Sequence, residues 1–142
     1  MQLSFMPTTN IKQEIILLCT PKQAYDAWFD SKTHGEMIGA KAVIDPKVGG
    51  LFDIWERDIT GKTLKLNPDK FRIVQEWRYN YEEWPKDQRS KITIEFLPYK
   101  KDQTKLKFLH TGFPAQYTEE FRTDWKKYYW DRMKKYFTKR YS

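Results

Sequence analysis

The amino-acid sequence predicts an α+β fold in which a curved antiparallel β-sheet of about six strands wraps around one long C-terminal α-helix. Three features support this architecture: segments that alternate apolar and polar residues, an amphipathic C-terminal segment, and a high aromatic content. Aromatic residues make up 17% of the 142 residues, with six Trp, nine Tyr and nine Phe. The length is that of one domain. We expect this domain to span residues 11–142, after a disordered or extended lead over residues 1–10.

The N-terminal part of the domain has the pattern of one strand followed by a helix. Residues 11–19 are mostly apolar and are predicted to form the strand. Thr20-Pro21 is typical of a helix start, with Thr as the N-cap and Pro at the first helical position. We expect this helix to end near Asp30, and a second short helical turn is predicted over residues 34–39.

Most of the next 70 or so residues have the pattern of β-strands. The strand predicted over residues 71–79 is the clearest, because every second side chain, from Phe71 to Tyr79, is expected to point towards the core. A hairpin turn is predicted over residues 58–61. One apolar face per strand is what an antiparallel sheet covered on a single side requires. The other predicted strands lie at residues 42–44, 51–57, 62–66, 91–96 and 105–110.

The C-terminal segment has the pattern of a long amphipathic helix. Thr118, followed by Glu119 and Glu120, resembles a capped helix start with acidic residues in the first turn. A helix over residues 118–139 would be about 33 Å long, enough to cross the sheet. Trp130 is expected to flank its apolar face. At about 100° per residue, that face consists of Phe121, Trp125, Tyr128, Tyr129, Met133, Tyr136 and Phe137.

The formal charge of +7 makes nucleic acid, a membrane surface or an acidic partner conceivable. Residues 117–141 hold eight Lys or Arg and four Asp or Glu, and therefore +4 of this charge. Solvated side chains on an amphipathic helix explain this segment. Because most of its rings share the core face, no nucleic-acid binding is expected. No stretch resembles a signal peptide or a membrane span, so we expect a cytoplasmic protein without a membrane span.

Residues suited to catalysis or metal binding are few. Cys19 is the only cysteine, and its apolar neighbours indicate a buried, inert thiol. His34 is expected to be exposed in a polar loop. His110 is expected on the inward face of a strand, where it either hydrogen-bonds a ligand or is satisfied by a neighbouring hydroxyl. No metal-ligand spacing and no nucleophile–base pair is visible, so we predict neither enzyme activity nor a cofactor or metal.

Seven short segments, in order along residues 11–138, resemble the family of activators of the heat-shock-protein-90 ATPase, within the START-like (SRPBCC) superfamily. The resemblance implies the helix-grip fold, a START-like domain and a cochaperone-like role in the stress response. It is stronger evidence for fold than for activity, because this fold carries many unrelated functions. The matching segments are Thr20-Pro21 with Trp28-Phe29, residues 45–52, residues 74–78, Trp84-Pro85, residues 92–96, residues 104–106 with 110–114, and residues 125–130.

The candidate functional residues are the inward side chains of the sheet and helix. Our leading hypothesis is an intracellular binding module that holds a small apolar or aromatic molecule in a cavity between them. The alternative is a protein-interaction domain that binds a chaperone, with the rings simply filling the interior. The sequence leaves open whether the protein is a monomer or a homodimer. The candidate cavity-lining residues are Phe52, Ile54, Ile73, Trp77, Ile94, Phe96, Phe108, His110, Trp125, Tyr129 and Met133.

Overall fold

The structure is a computed structural model that describes residues 7–141, with the side chain of Tyr141 excluded. Seven strands and three helical segments surround one core. The C-terminal helix consists of α3, a π-helical stretch and α4. The elements are β1 (Thr8–Leu17), α1 (Pro21–Phe29), α2 (Ser31–Ile38), β2 (Ala42–Ile44), β3 (Leu51–Ile54), β4 (Ile59–Asn67), β5 (Arg72–Tyr79), β6 (Ser90–Tyr99), β7 (Gln103–Pro114), a 3₁₀ turn (Ala115–Tyr117), α3 (Thr118–Asp124), the π-helical stretch (Trp125–Trp130) and α4 (Asp131–Tyr141).

The strands form one antiparallel sheet in the order β1-β7-β6-β5-β4-β3-β2, with a register shift in both β1 and β4. The C-terminal helix lies in the hollow of this sheet. The Trp125 ring centroid lies 5.1 Å from that of Trp77 on β5 and 4.4 Å from that of Phe108 on β7. The predicted helix-grip fold is therefore confirmed. It has seven strands rather than about six, because β1 joins the sheet beside β7.

The N-terminal elements follow the predicted capping signals. Thr20 and Gln23 form a reciprocal capping box: the Thr20 amide donates to Oε1 of Gln23 at 2.8 Å, and the Gln23 amide donates to Oγ1 of Thr20 at 3.2 Å. The predicted second helical turn is a full helix, α2, with Asp30 as its N-cap. β1 begins at Thr8 rather than at residue 11, and residues 1–6 of the expected lead lie outside the described part of the chain.

The β3–β4 turn lies earlier than the sequence suggested. β3 stops at Ile54, and Trp55, Glu56 and Arg57 all adopt left-handed backbone conformations with φ of 55°, 50° and 75°. Residues 59–61, which were predicted to be part of the turn, belong to β4. Gly61 therefore lies inside β4 rather than in the turn, and close packing explains why this position is a glycine.

Gly61 pairs with Phe52 on one side and with Trp77 on the other. An added Cβ at this position would collide with the Glu76 carbonyl oxygen and the Phe52 ring. The missing side chain therefore lets the Phe52 and Trp77 rings approach across β4, with their centroids 5.2 Å apart. A glycine inside a strand marks such a close approach.

The C-terminal helix departs from regular α-helix geometry at its centre. The amide of Asp131 donates to the Lys126 carbonyl, five residues back, as in a π-helix. Residues five apart therefore share a face, and the Trp125 and Trp130 rings stack with centroids 5.3 Å apart and planes 15° apart. The prediction that Trp130 flanks the core face is wrong: Trp130 is buried, whereas Tyr128 is only half-buried.

Candidate functional site

The interior of the grip is the space between the concave sheet face and the C-terminal helix. All eleven residues predicted to line a cavity are buried there. Their rings contact one another: Phe52 contacts Trp77, Trp77 contacts Trp125, and Trp125 contacts Tyr129, with centroid distances of 4.9 to 5.2 Å. The structure thus brings the predicted residues together in the buried core, where their rings contact one another.

Several further rings of the interior were not among the predicted residues. Trp28 on α1 contacts both the Tyr129 and the Trp77 rings, with centroid distances of 5.3 and 6.3 Å. Its i, i+4 spacing from Ala24 was the available signal. Trp130 was missed because nothing in the sequence announces a π-helical stretch. The other buried rings that the sequence did not assign to the interior are Trp84, Phe113 and Tyr117.

His34 is fully buried, so the prediction of an exposed loop histidine is wrong. Nδ1 lies 2.7 Å from the Trp28 carbonyl oxygen, and Nε2 lies 2.9 Å from the Tyr129 hydroxyl. Because the carbonyl can only accept, Nδ1 carries the proton and Nε2 accepts from Tyr129. Burial lowers the pKa of His34 to about 4. This imidazole is a neutral link between α2 and the C-terminal helix.

His110 is buried on the inward face of β7, as predicted, and a neighbouring hydroxyl satisfies it. The Trp125 indole N–H donates to Nδ1 at 3.1 Å, so Nε2 carries the proton and donates to Ser90 Oγ at 2.8 Å. The Ser90 hydroxyl in turn donates to the Trp77 carbonyl. Burial lowers the pKa of His110 to about 3. Both ring nitrogens therefore have protein partners.

Two further groups bear on the chemistry of the interior. Burial raises the pKa of Cys19 to about 12, which fits an inert thiol. The Trp77 indole N–H is buried and has no hydrogen bond of ordinary distance and angle. Its weak interaction with the Tyr79 hydroxyl lowers the pKa of Tyr79, but burial raises that pKa by more. Within residues 7–141, no cluster of three His, Cys, Asp or Glu side chains could hold a metal ion.

A cavity of about 660 Å³, here called the outer groove, lies on the convex face of β3, β4 and β5. Strand pairing places Leu51 opposite Lys62, and Lys62 opposite Glu76, on the face away from Phe52 and Trp77. Five basic side chains line the groove against two acidic ones, Asp53 and Glu76. The basic side chains are those of Arg57, Lys62, Arg78, Lys86 and Arg89.

Arg78 connects the loop over residues 80–89, between β5 and β6, to this groove. Its guanidinium donates to the carbonyls of Trp84, Pro85 and Gln88 at 2.7 to 3.1 Å. The pKa of Arg78 is lowered, first by burial and then by the charge of Arg89. Because these three acceptors are neutral carbonyls, the positive charge of Arg78 adds to that of the other basic side chains of the outer groove.

A cavity of about 300 Å³, here called the mouth cavity, lies where the β3–β4 turn meets the C-terminal helix. Its character is opposite to that of the outer groove, because no Lys or Arg is among its lining residues. Five aromatic rings, one isoleucine and two carboxylates line it: Trp55, Tyr79, Tyr81, Tyr128, Tyr129, Ile59, Asp58 and Asp124. Only Tyr129 of these belongs to the predicted site residues.

No helix among the described residues is both long enough and apolar enough to span a membrane. Comparison with known proteins supports the resemblance seen in the sequence. The chain is 28% identical over 132 residues to the human activator of 90 kDa heat shock protein ATPase homolog 1. This match covers 93% of the chain but only 38% of the human protein, so the chain spans well under half the length of that relative.

Two solved structures place the fold. An HSP90 activator from Plasmodium falciparum superimposes with a TM-score of 0.75 at 26% identity, covering 91% of this chain and 94% of that one. Norcoclaurine synthase from Thalictrum flavum, solved with dopamine and hydroxybenzaldehyde, superimposes with a TM-score of 0.67 at 12% identity, covering 96% of this chain and 90% of that one; this likeness concerns the fold alone. The model of the Activator of Hsp90 ATPase homolog 1-like family matches residues 18–138, and the chain belongs to that family.

Proposed function

We propose that this chain is a cochaperone-like interaction domain that binds a chaperone of the heat-shock-protein-90 class. The observation that carries the proposal is the likeness to the Plasmodium HSP90 activator, which extends over more than nine-tenths of both chains. The family match over residues 18–138 supports it. A cytoplasmic location and a role in the stress response form part of the same proposal.

The outer groove is the surface that best fits such a partner. Val43 and Leu51 are large apolar residues that remain 54% and 68% exposed at its rim. The five basic side chains line the same groove, so the face combines apolar contact area with positive potential. An acidic protein surface with a few apolar residues complements both properties. Electrostatic attraction of this kind accelerates association and weakens with salt.

The experiment measures binding of this chain to the heat-shock-protein-90 of the same source by isothermal titration calorimetry, together with the ATPase rate of the chaperone. The double variant Lys62→Glu/Arg89→Glu reverses two charges of the outer groove. The matched control, Lys107→Glu/Lys134→Glu, makes the same change in net charge at exposed positions on β7 and α4. We expect the groove variant to weaken binding at least tenfold and the control less than twofold.

Equal weakening in the two variants would assign binding to net charge rather than to the outer groove. Absence of binding by the unmodified chain at low salt would refute chaperone binding itself.

A second candidate function is binding of a small apolar molecule in the interior. The Trp77 indole N–H supports it, because this buried donor interacts with the Tyr79 hydroxyl only in a poor hydrogen-bond geometry, and a ligand acceptor could give it a better partner. Such a ligand has to displace rings that now contact one another. A thermal-shift screen with fatty acids, sterols and flavonoids tests it.

Ligand present at a hundredfold excess over its Kd should stabilise the protein by about 2.7 kcal/mol. We expect Trp77→Phe to reduce the shift of any ligand that accepts this hydrogen bond. No stabilisation by any of the three compound classes counts against the second candidate.

A further inference from the structure

The mouth cavity combines aromatic rings and acidic groups in a protein whose overall charge is +7. Trp55 stands edge to face against two tyrosines: its centroid lies 6.1 Å from that of Tyr128, with planes 82° apart, and 6.0 Å from that of Tyr129, with planes 80° apart. Tyr79 and Tyr81 form another wall, with centroids 5.4 Å apart. These rings line the cavity and leave a space of about 300 Å³ between them.

Trp55, whose ring lines the cavity, has an unfavourable backbone conformation. Trp55 is the first of three successive residues with positive φ, a conformation that costs free energy for any residue other than glycine. The amide of Trp55 donates to the Lys41 carbonyl at 3.0 Å, and the amide of Arg57 donates to Asp53 Oδ1 at 2.6 Å, which stabilises the turn. Strain of this kind persists where the surroundings impose it, and it often marks a functional site.

The charge inside the cavity is negative and incompletely compensated. None of the six ion pairs found among the described residues involves Asp58 or Asp124. The pKa of Asp124 is raised, first by burial and then by the negative charge of Glu120; Lys127 acts in the opposite direction and more weakly. Glu120 also accepts a hydrogen bond from the Tyr81 hydroxyl at 3.0 Å. A cation entering the cavity would reduce this repulsion.

The Tyr128 ring already makes cation–π contacts with basic side chains of the protein. The Lys127 ammonium and the Arg132 guanidinium lie 5.2 and 5.0 Å from the Tyr128 ring centroid, within the range of cation–π attraction. The described residues place no such cation over Trp55, Tyr79, Tyr81 or Tyr129. Of these four rings, Trp55 and Tyr81 are partly exposed and therefore accessible to a ligand, whereas Tyr79 and Tyr129 are buried.

We propose that the mouth cavity is a binding site for a small organic ammonium ion, which Trp55 and the tyrosine rings would hold by cation–π attraction and Asp58 and Asp124 by charge. Rings with nearby carboxylates are the chemistry by which proteins recognise quaternary and primary ammonium groups. A volume of about 300 Å³ suits a ligand of a few carbon atoms or one ring. This site is separate from the outer groove, so the proposal does not depend on chaperone binding.

The experiment compares two probes of the same shape, choline and its neutral isostere 3,3-dimethyl-1-butanol, with benzyltrimethylammonium as a larger cation. The uniformly ¹⁵N-labelled protein is titrated with each, and the indole N–H signal of Trp55, assigned by its loss in Trp55→Phe, is followed by NMR. We expect both cations to shift this signal with saturation. We expect the neutral isostere to bind at least tenfold more weakly.

A pair of variants separates the local charge from the overall charge. Asp124→Asn keeps the shape of the side chain in the cavity and removes its charge, and we expect it to weaken choline binding at least fivefold. Asp102→Asn removes the same charge at the β6–β7 turn, at the opposite end of the sheet, where a left-handed backbone tolerates Asn. It should leave the Kd within twofold.

Three results overturn the proposal: equal affinity for choline and its neutral isostere, equal effects of the two aspartate variants, or no shift of the Trp55 signal with either cation at 20 mM or so, well above the range of a specific site. The unmodified fold of Asp124→Asn is verified from its remaining amide signals, so that a loss of binding is not confused with unfolding.

Discussion

The interior of the grip and the mouth cavity are both built from aromatic residues, yet they differ in whether the polar groups have protein partners. In the interior, most polar tips have protein partners: Trp125 and Tyr129 each donate to a buried histidine. At the mouth, the rings border a cavity of about 300 Å³, and Asp124 carries a charge that its surroundings disfavour. Aromatic content alone therefore does not decide between a core and a binding site. Polar tips with protein partners characterise the core, whereas backbone strain and uncompensated charge characterise the mouth.

The largest effect that separates the two regions should be the loss of stability when the pH is lowered. His34 and His110 have folded-state pKa values of about 4 and 3 against 6.5 for the free side chain. Between pH 6.5 and pH 4 the unfolded chain binds protons that the folded interior refuses, so stability falls as the pH falls. At about 1.4 kcal/mol per pKa unit, the loss at pH 5 should be roughly 2 kcal/mol for each histidine relative to pH 7.5.

Urea unfolding at several pH values measures this loss, and NMR of the imidazole protons follows the folded-state titration directly. Imidazole signals of the folded protein that titrate near pH 6.5 would show that neither histidine is sealed in the interior.

The next largest effect is expected at Gly61. Gly61→Ala inserts a methyl group against the Glu76 carbonyl and the Phe52 ring, and overpacking of this kind should destabilise the protein by about 3 kcal/mol. Gly49→Ala is the control: its Cβ would meet nothing within 4 Å, and only its positive φ of 82° opposes the change, at about 1 kcal/mol. Chemical denaturation of both variants gives the comparison. Equal losses would contradict the packing role of Gly61.

Two adjacent tyrosines sharpen the contrast further. Tyr129→Phe removes the donor to His34 Nε2 and leaves a buried acceptor unsatisfied, so we expect a loss of about 2 kcal/mol. Tyr128→Phe changes a half-buried ring at the mouth and should alter stability by less than about 0.5 kcal/mol. The same unfolding measurements apply. A cost for Tyr128→Phe as large as that for Tyr129→Phe would mean that the mouth is as tightly constrained as the interior.

The smallest effect has the opposite sign. Asp124→Asn removes a carboxylate whose pKa is raised by burial and by Glu120. Because this carboxylate is partly solvated and its repulsion is screened, the free energy of unfolding should increase only slightly, by at most about 0.5 kcal/mol. A functional group held against the preference of the fold is expected to behave in this way. Destabilisation by Asp124→Asn would show that the carboxylate supports the structure, and it would remove one argument for a ligand.

Local spacing in the sequence accounts for several features of the fold but not for all of them. The Thr20 cap, the alternation in β5 and the burial of all eleven candidate residues follow from local spacing. His34 and Trp130 were misplaced, because a polar-looking segment formed a helix against the core and a π-helical stretch shifted the helical phase. The mouth cavity could not be predicted, since its walls come from three separate segments of the chain, and one of them is a turn with a rare backbone conformation.

By itself, the sequence determined the family, the order of most elements and which side chains are removed from water, because hydrophobic periodicity and capping are local properties of the chain. Only the tertiary structure decided that the interior rings meet, that both histidines are neutral hydrogen-bonding partners, and that rings and carboxylates surround a space at the β3–β4 turn. The physical reason is that packing volume and electrostatic compensation depend on distances between segments far apart in the chain, and these distances exist only after folding.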